Sequence, residues 1–245
     1  MSYLEMEPVV PFAQVNGIDL YYERLGAGRP IVLIPGLGAD SKVFMPLGRD
    51  LAAAGSVVLL DPRGAGRSSK PREPYTIEEM AEDVSELIAE IGIGPAAVVG
   101  YSLGGRIAIC LAATHPEQVD RLVLAATSAR EGKSRPLGLR WILIEIGAHL
   151  PMGQRAGSQP SYAFVNQRDA ARAFDGRSLL GAIRAPTLVI RATRDLIIPR
   201  RLSEELLGIP GARASEFRAG HFSLLMARHR ELAAEISKFL TEGTR

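Results

Sequence analysis

Short apolar runs alternate along the chain with longer segments of helical spacing. I-V-L-I at 31–34 and S-V-V-L-L at 56–60 are continuous runs, the pattern of strands buried on both faces. Ala96–Val99, Val119–Ala126, Pro186–Arg191 and Ala212–Phe217 predict four further strands. Ahead of these, Val9–Val15 and Ile18–Arg24 flank Asn16-Gly17, a pair that accepts the positive φ angles of a tight hairpin turn. Between strands the period changes. Ile77, Met80, Ala81, Val84, Leu87, Ile88 and Ile91 recur at helical spacing. Thr76 and Glu79 supply a capping box at the start, and Gly92 ends the run. Helices are also expected within 43–54, over Leu103–His115, which is apolar nearly all round, and over Leu232–Leu240.

Strands alternating with helices predict an α/β fold with a mostly parallel central sheet after an antiparallel start, and helices on both faces. The rhythm breaks at 130–176, which is rich in Gly, Pro, Arg and Ser around one apolar piece, Leu137–Leu150. That region reads as a lid or cap inserted into a core made of 1–129 and 177–245. The apolar piece could pack as a lid on the core, form a dimer contact, or lie at an interface.

Composition narrows the classes. The 245 residues are 47% hydrophobic and 23% charged with a net charge of +2, so no field points to nucleic acid. The acidic N-terminal stretch lacks the basic and apolar regions of a signal peptide. No apolar run approaches a membrane span of about 18 residues. A lone cysteine, Cys110, sits in an apolar run and excludes an internal disulfide. The expectation is a cytoplasmic monomer or homodimer acting on a small molecule.

Chemistry enters at Gly100-Tyr101-Ser102-Leu103-Gly104, a G-x-S-x-G pattern between a strand and a helix. In that setting the serine occupies a sharp turn, exposed at the sheet edge and at a helix N-terminus that favours negative charge. A serine hydroxyl needs a base. His115 precedes Pro116 at a helix end, His149 lies in the insertion and His229 in R-H-R-E, whereas His221 follows a strand in A-G-H-F. His221 is the expected base. Asp195, just past another strand, is the expected carboxylate that orients it, and the chain order Ser102, Asp195, His221 suits the architecture. The N–H groups of Leu37, in Gly36-Leu37-Gly38 after the strand at 31–34, and of Leu103 are candidates for an oxyanion hole. Gly36, Tyr101, Arg106, Trp141 and Phe222 are expected to contact substrate. No phosphate loop or metal-ligand spacing is present in the sequence, so neither cofactor nor metal is expected.

With these residues in place the chain resembles an α/β-hydrolase of the branch holding small esterases and enol-lactonases. Asp61-Pro62-Arg63-Gly64-Ala65-Gly66-Arg67-Ser68 is similar to that branch's D-x-R-G-x-G-x-S loop, and H-P-E-Q-V-D-R-L-V-L-A-A-T at 115–127 to the segment after its elbow helix. Pro35-Gly36 departs from the family's frequent His-Gly, which keeps the backbone donor but removes the histidine side chain. The resemblance implies hydrolysis of carboxylic esters or lactones through an acyl-enzyme. Two alternatives stay open: a cofactor-free lyase of the menaquinone type that eliminates pyruvate with the same triad, and a ligand-binding module with vestigial turnover. Arg106, four residues after Ser102 and on its helix face, is either a structural ion pair, for example with Asp61, or the anchor of a substrate carboxylate.

Overall fold

The computed structural model describes residues 11–132 and 159–242. Eight strands form one sheet in the order β1-β2-β4-β3-β5-β6-β7-β8. The strands are β1 (Phe12–Val15), β2 (Ile18–Leu25), β3 (Pro30–Ile34), β4 (Ser56–Leu60), β5 (Ala96–Tyr101), β6 (Val119–Ala125), β7 (Thr187–Ala192) and β8 (Arg213–Phe217). The β1-β2 and β2-β4 pairs are antiparallel and the rest parallel. Asn16 and Gly17 both take positive φ, 45° and 74°, as the opening hairpin requires.

The continuous apolar runs are explained by the layers. Val32, Ile34, Val58, Leu60 and Val98 face a core shared with α2 (Ile77–Glu90) and α3 (Leu103–Thr114). Their neighbours Ile31, Leu33, Val57, Leu59 and Val99 face the opposite core. There they pack with α1 (Ser41–Leu51) and α7 (His229–Thr241). Successive side chains alternate across a strand, so a strand covered on both sides has no polar position to spare. Both halves of the Thr76–Glu79 capping box form. Asp40 caps α1 by accepting from the backbone N–H groups of Lys42 and Val43.

The helix α4 (Ser161–Ala173) was not legible in the broken rhythm of 130–176. Two short helices follow, α5 (Arg200–Glu204) and α6 (His221–Met226). The side chains of α4 reach the loop after β4: Tyr162 donates to the Lys70 carbonyl and Asn166 to those of Arg72 and Glu73. The apolar stretch 137–150, with Trp141 and His149, lies outside the described residues.

Strand order reverses between β3 and β5. One connection runs outward to β4 and the other to β6, which leaves a crevice above the carboxyl ends of the two central strands. The loop 35–38 and the turn at Ser102 both open there.

Candidate active site

Ser102 links β5 directly to α3 with φ 53°, a left-handed conformation uncommon for a residue with a side chain. The surroundings hold it there. Its N–H donates to the Ala125 carbonyl at 3.0 Å, and its own carbonyl accepts from Gly105 N–H at 3.0 Å and from the Thr127 hydroxyl at 2.6 Å. The flanking glycines are required by space. A Cβ on Gly104 would fall on the carbonyl oxygens of Ile34 and Pro35, and one on Gly100 would meet Gly105 Cα at 2.7 Å. Any side chain at these positions would push the elbow off the sheet.

His221 opens α6, just after β8, and Asp195 follows β7. His221 Nε2 lies 3.1 Å from Ser102 Oγ, and His221 Nδ1 lies 2.8 Å from Asp195 Oδ2. An ionised carboxylate only accepts, so Nδ1 carries the proton and Nε2 is left to accept from the serine hydroxyl. Both partners are withdrawn from water, at 7% and 3% side-chain exposure. Asp195 is held in turn: its other oxygen accepts from Ile197 and Ile198 N–H, each at 2.8 Å. Asp195 thus spends its oxygens on His221 and on this turn, and α5 begins without a side-chain cap.

The two oxyanion candidates belong to different elements. Leu103 is the first residue of α3, where a helix leaves its N–H groups without intrahelical carbonyls. Gly36 packs on Ser102, since a Cβ there would stand 3.2 Å from Ser102 Cβ. Leu37 follows in a turn closed by the Ala39 N–H to Gly36 carbonyl bond of 3.1 Å.

The residues expected to contact substrate separate into groups. Phe222 is half-exposed beside the histidine, its ring edge-on to His221 at 5.3 Å. Tyr101 is buried and turns beneath the site, where its hydroxyl donates to the His221 carbonyl. Its ring packs against Phe44 and His221. Burial pushes its hydroxyl pKa far above the ordinary tyrosine range. Tyr101 thus meets His221 at its carbonyl and ring and does not line the opening beside Ser102 as a polar contact. Trp141 is outside the described residues.

Arg106 also turns away from the crevice. Its guanidinium donates to Glu131 Oε2, Ser128 Oγ and the Arg130 carbonyl, each at 3.2 Å, and to the Ala171 carbonyl. The expected pair with Asp61 does not form. Asp61 instead accepts from the N–H groups of Ser41 and Arg67, both at 2.7 Å. Helical spacing places Arg106 one turn after Ser102, but its guanidinium is taken up by the segment after β6 and by α4. Arg63, from the glycine-rich loop, is likewise engaged in a buried two-point pair with Asp83 at 2.8 and 2.6 Å. Of the other histidines among the described residues, His115 meets Glu82 and His229 meets Asp50, so both rings are engaged by carboxylates.

Two polar residues near the site escaped the sequence reading. Thr127 pins the Ser102 carbonyl, and Gln167 of α4 is fully buried beside the 35–38 loop. For Gln167 a signal existed: Ala163, Gln167, Ala170 and Ala171 share one helical stripe, and a lone amide on an apolar stripe implies a specific partner.

Known proteins bear on this geometry. The family model described as the alpha/beta hydrolase fold matches residues 29–140. RutD of Azorhizobium caulinodans, provisionally named a carbamate hydrolase, is 34% identical over 244 residues, covering 84% of this chain and 89% of the relative. YisY of Bacillus subtilis, named an AB hydrolase superfamily protein, is 30% identical over 221 residues, with 77% and 82% covered. The crystal structure of an enol-lactonase from Burkholderia xenovorans superposes with a TM-score of 0.85 at 30% identity, covering 95% of this chain and all of the other. With full-length relatives at this identity and the same layered sheet, the chain belongs to the α/β-hydrolase family.

Proposed function

We propose that this protein is a serine hydrolase of carboxylic esters or lactones, with Ser102 as nucleophile, His221 as base and Asp195 as the carboxylate that orients it. The observation that carries this reading is the continuous Ser102–His221–Asp195 hydrogen-bonded chain, 3.1 and 2.8 Å long in its two links, over a buried carboxylate. Ser102 Oγ attacks the carbonyl carbon while its proton passes to His221 Nε2. Leu37 and Leu103 N–H groups stabilise the oxyanion. His221 returns the proton to the departing alkoxide, which leaves as alcohol or, from a lactone, stays attached to the acyl group. Water, deprotonated by His221, then releases the acid and restores the serine. In this reading the region 130–176, to which α4 belongs, serves as a cap.

Carbamates are a second substrate class to test, on the strength of the RutD relative. The reading of Arg106 as a carboxylate anchor loses its support, because its guanidinium is engaged by Glu131 and by backbone carbonyls, and this bears equally on lactone and lyase substrates. The test is p-nitrophenyl acetate turnover with rapid mixing, beside lactones and a p-nitrophenyl carbamate. A p-nitrophenol burst that Ser102→Ala abolishes is expected; equal turnover in that variant refutes the assignment.

A further inference from the structure

We infer that Gln167 is a positioning residue for the oxyanion hole, through which the α4 helix of the insertion sets the loop 36–39. The inference rests on the serine-hydrolase reading above and adds a residue to it. Gln167 is fully buried in the middle of α4, and both ends of its amide are used. Its carbonyl oxygen accepts the Gly38 N–H at 3.1 Å and a Gln159 amide N–H at 3.1 Å. Its amide nitrogen donates to the Arg63 carbonyl at 2.8 Å, and Gln159 donates to the adjacent Gly64 carbonyl at 2.8 Å. The loop after β3 and the loop after β4 are thus tied to one helix by a single side chain.

The turn explains why this bond matters. Gly36 to Ala39 close a four-residue turn, and Gly38 in its third position has φ 70°, the type II pattern. The Gly36 carbonyl points into the turn to meet Ala39 N–H. Across a planar trans peptide the Leu37 N–H must then point outward, the direction a hole donor needs. The bond within the turn does not constrain the central Leu37–Gly38 peptide, whose orientation distinguishes type II from type I. Gln167 holds the N–H of that peptide. Phe164, one turn earlier on α4, backs the same glycine, with ring carbons 3.2 Å from where a Cβ would stand. Gln167 therefore fixes the turn from its central peptide, while Gly36 packs on Ser102.

Two variants test this. Gln167→Met keeps length and bulk but offers no comparable acceptor; Gln167→Glu keeps an oxygen for Gly38 N–H and loses the amide donor to Arg63. With p-nitrophenyl acetate, kcat of the Met variant is expected to fall about tenfold with KM changed by less than about twofold, while the Glu variant stays within about threefold of wild type. An O-ester and its thiono analogue supply a readout that packing loss would not move. Sulfur accepts hydrogen bonds weakly, so a well-set hole discriminates against it, and the rate ratio should contract in the Met variant alone. Should the Met variant melt below the assay temperature, Gln167→Asn, which retracts the acceptor by one methylene, carries the same expectations as Met. An unchanged kcat in the Met variant, an equal loss in Met and Glu, or an unchanged ester-to-thionoester ratio overturns the positioning role. Absence of Ser102-dependent turnover in the wild type overturns the hydrolase reading itself, and the positioning role with it.

Discussion

Replacing Arg106 by Met asks what a buried arginine in the elbow helix is for. The side chain is 6% exposed, and its guanidinium binds Glu131, Ser128 and the carbonyls of Arg130 and Ala171. Methionine fills much of the aliphatic volume and removes one donor from each of those acceptors, of which the Arg130 carbonyl keeps the Ser128 hydroxyl. Breaking a buried ion pair by removing one partner costs about 3–5 kcal/mol. Glu131 is 26% exposed and can turn toward water, which discounts the electrostatic part and leaves roughly 2–3 kcal/mol. In a chain of 245 residues each kcal/mol moves the melting midpoint by about 2–4 °C, so a fall of about 4–12 °C is expected. The assay pairs a thermal melt with rates on p-nitrophenyl butyrate and on mono-p-nitrophenyl succinate, which carries a free carboxylate. A structural arginine lowers the midpoint and leaves the ratio of the two rates unchanged. An unchanged midpoint with about tenfold selective loss on the charged ester would refute the reasoning and restore Arg106 as a substrate anchor.

Two further outcomes follow from the geometry. Tyr101→Phe removes the hydroxyl that holds the His221 carbonyl, one hydrogen bond worth about 1 kcal/mol. A fall in kcat of several-fold with KM unchanged is expected in steady-state kinetics, and a wild-type kcat would show that the base is set without it. The second concerns Asp40, whose carboxyl is pushed by burial and by the neighbouring Asp61 from 3.8 up to about 6. A carboxyl that binds its proton more tightly folded than unfolded costs stability once ionised. The cost is absent below about pH 4, grows as pH rises toward 6, and is fully present above that. Asp40→Asn keeps an oxygen for the Lys42 and Val43 N–H groups, so it should raise stability by roughly 1–2 kcal/mol at pH 8 and by nothing near pH 4. Melts at the two pH values check this; an equal change at both would remove the ionisation argument.

Much of this protein was legible in its sequence because strands covered on both sides must be apolar throughout. That requirement marked β3 to β7 within a residue or two, and chain order then placed Ser102, Asp195 and His221 at strand ends. The G-x-S-x-G pattern located the elbow, while the close backbone approach that demands its glycines came from the fold. What only the tertiary structure decided is where side chains of ambiguous chemistry spend their hydrogen bonds. Arg106 shares the helical face of Ser102, yet it is satisfied by Glu131 and the backbone of α4, residues 25 and 65 positions away. Tyr101, adjacent to Ser102, serves the carbonyl of a residue 120 positions later. Gln167 lies in a segment whose composition hid its helix, and its partner Gly38 is 129 positions earlier. Periodicity reports which face a residue occupies. It does not report which polar group from a distant segment will meet it there, because a buried donor must be satisfied by whatever the packed chain brings within about 3 Å.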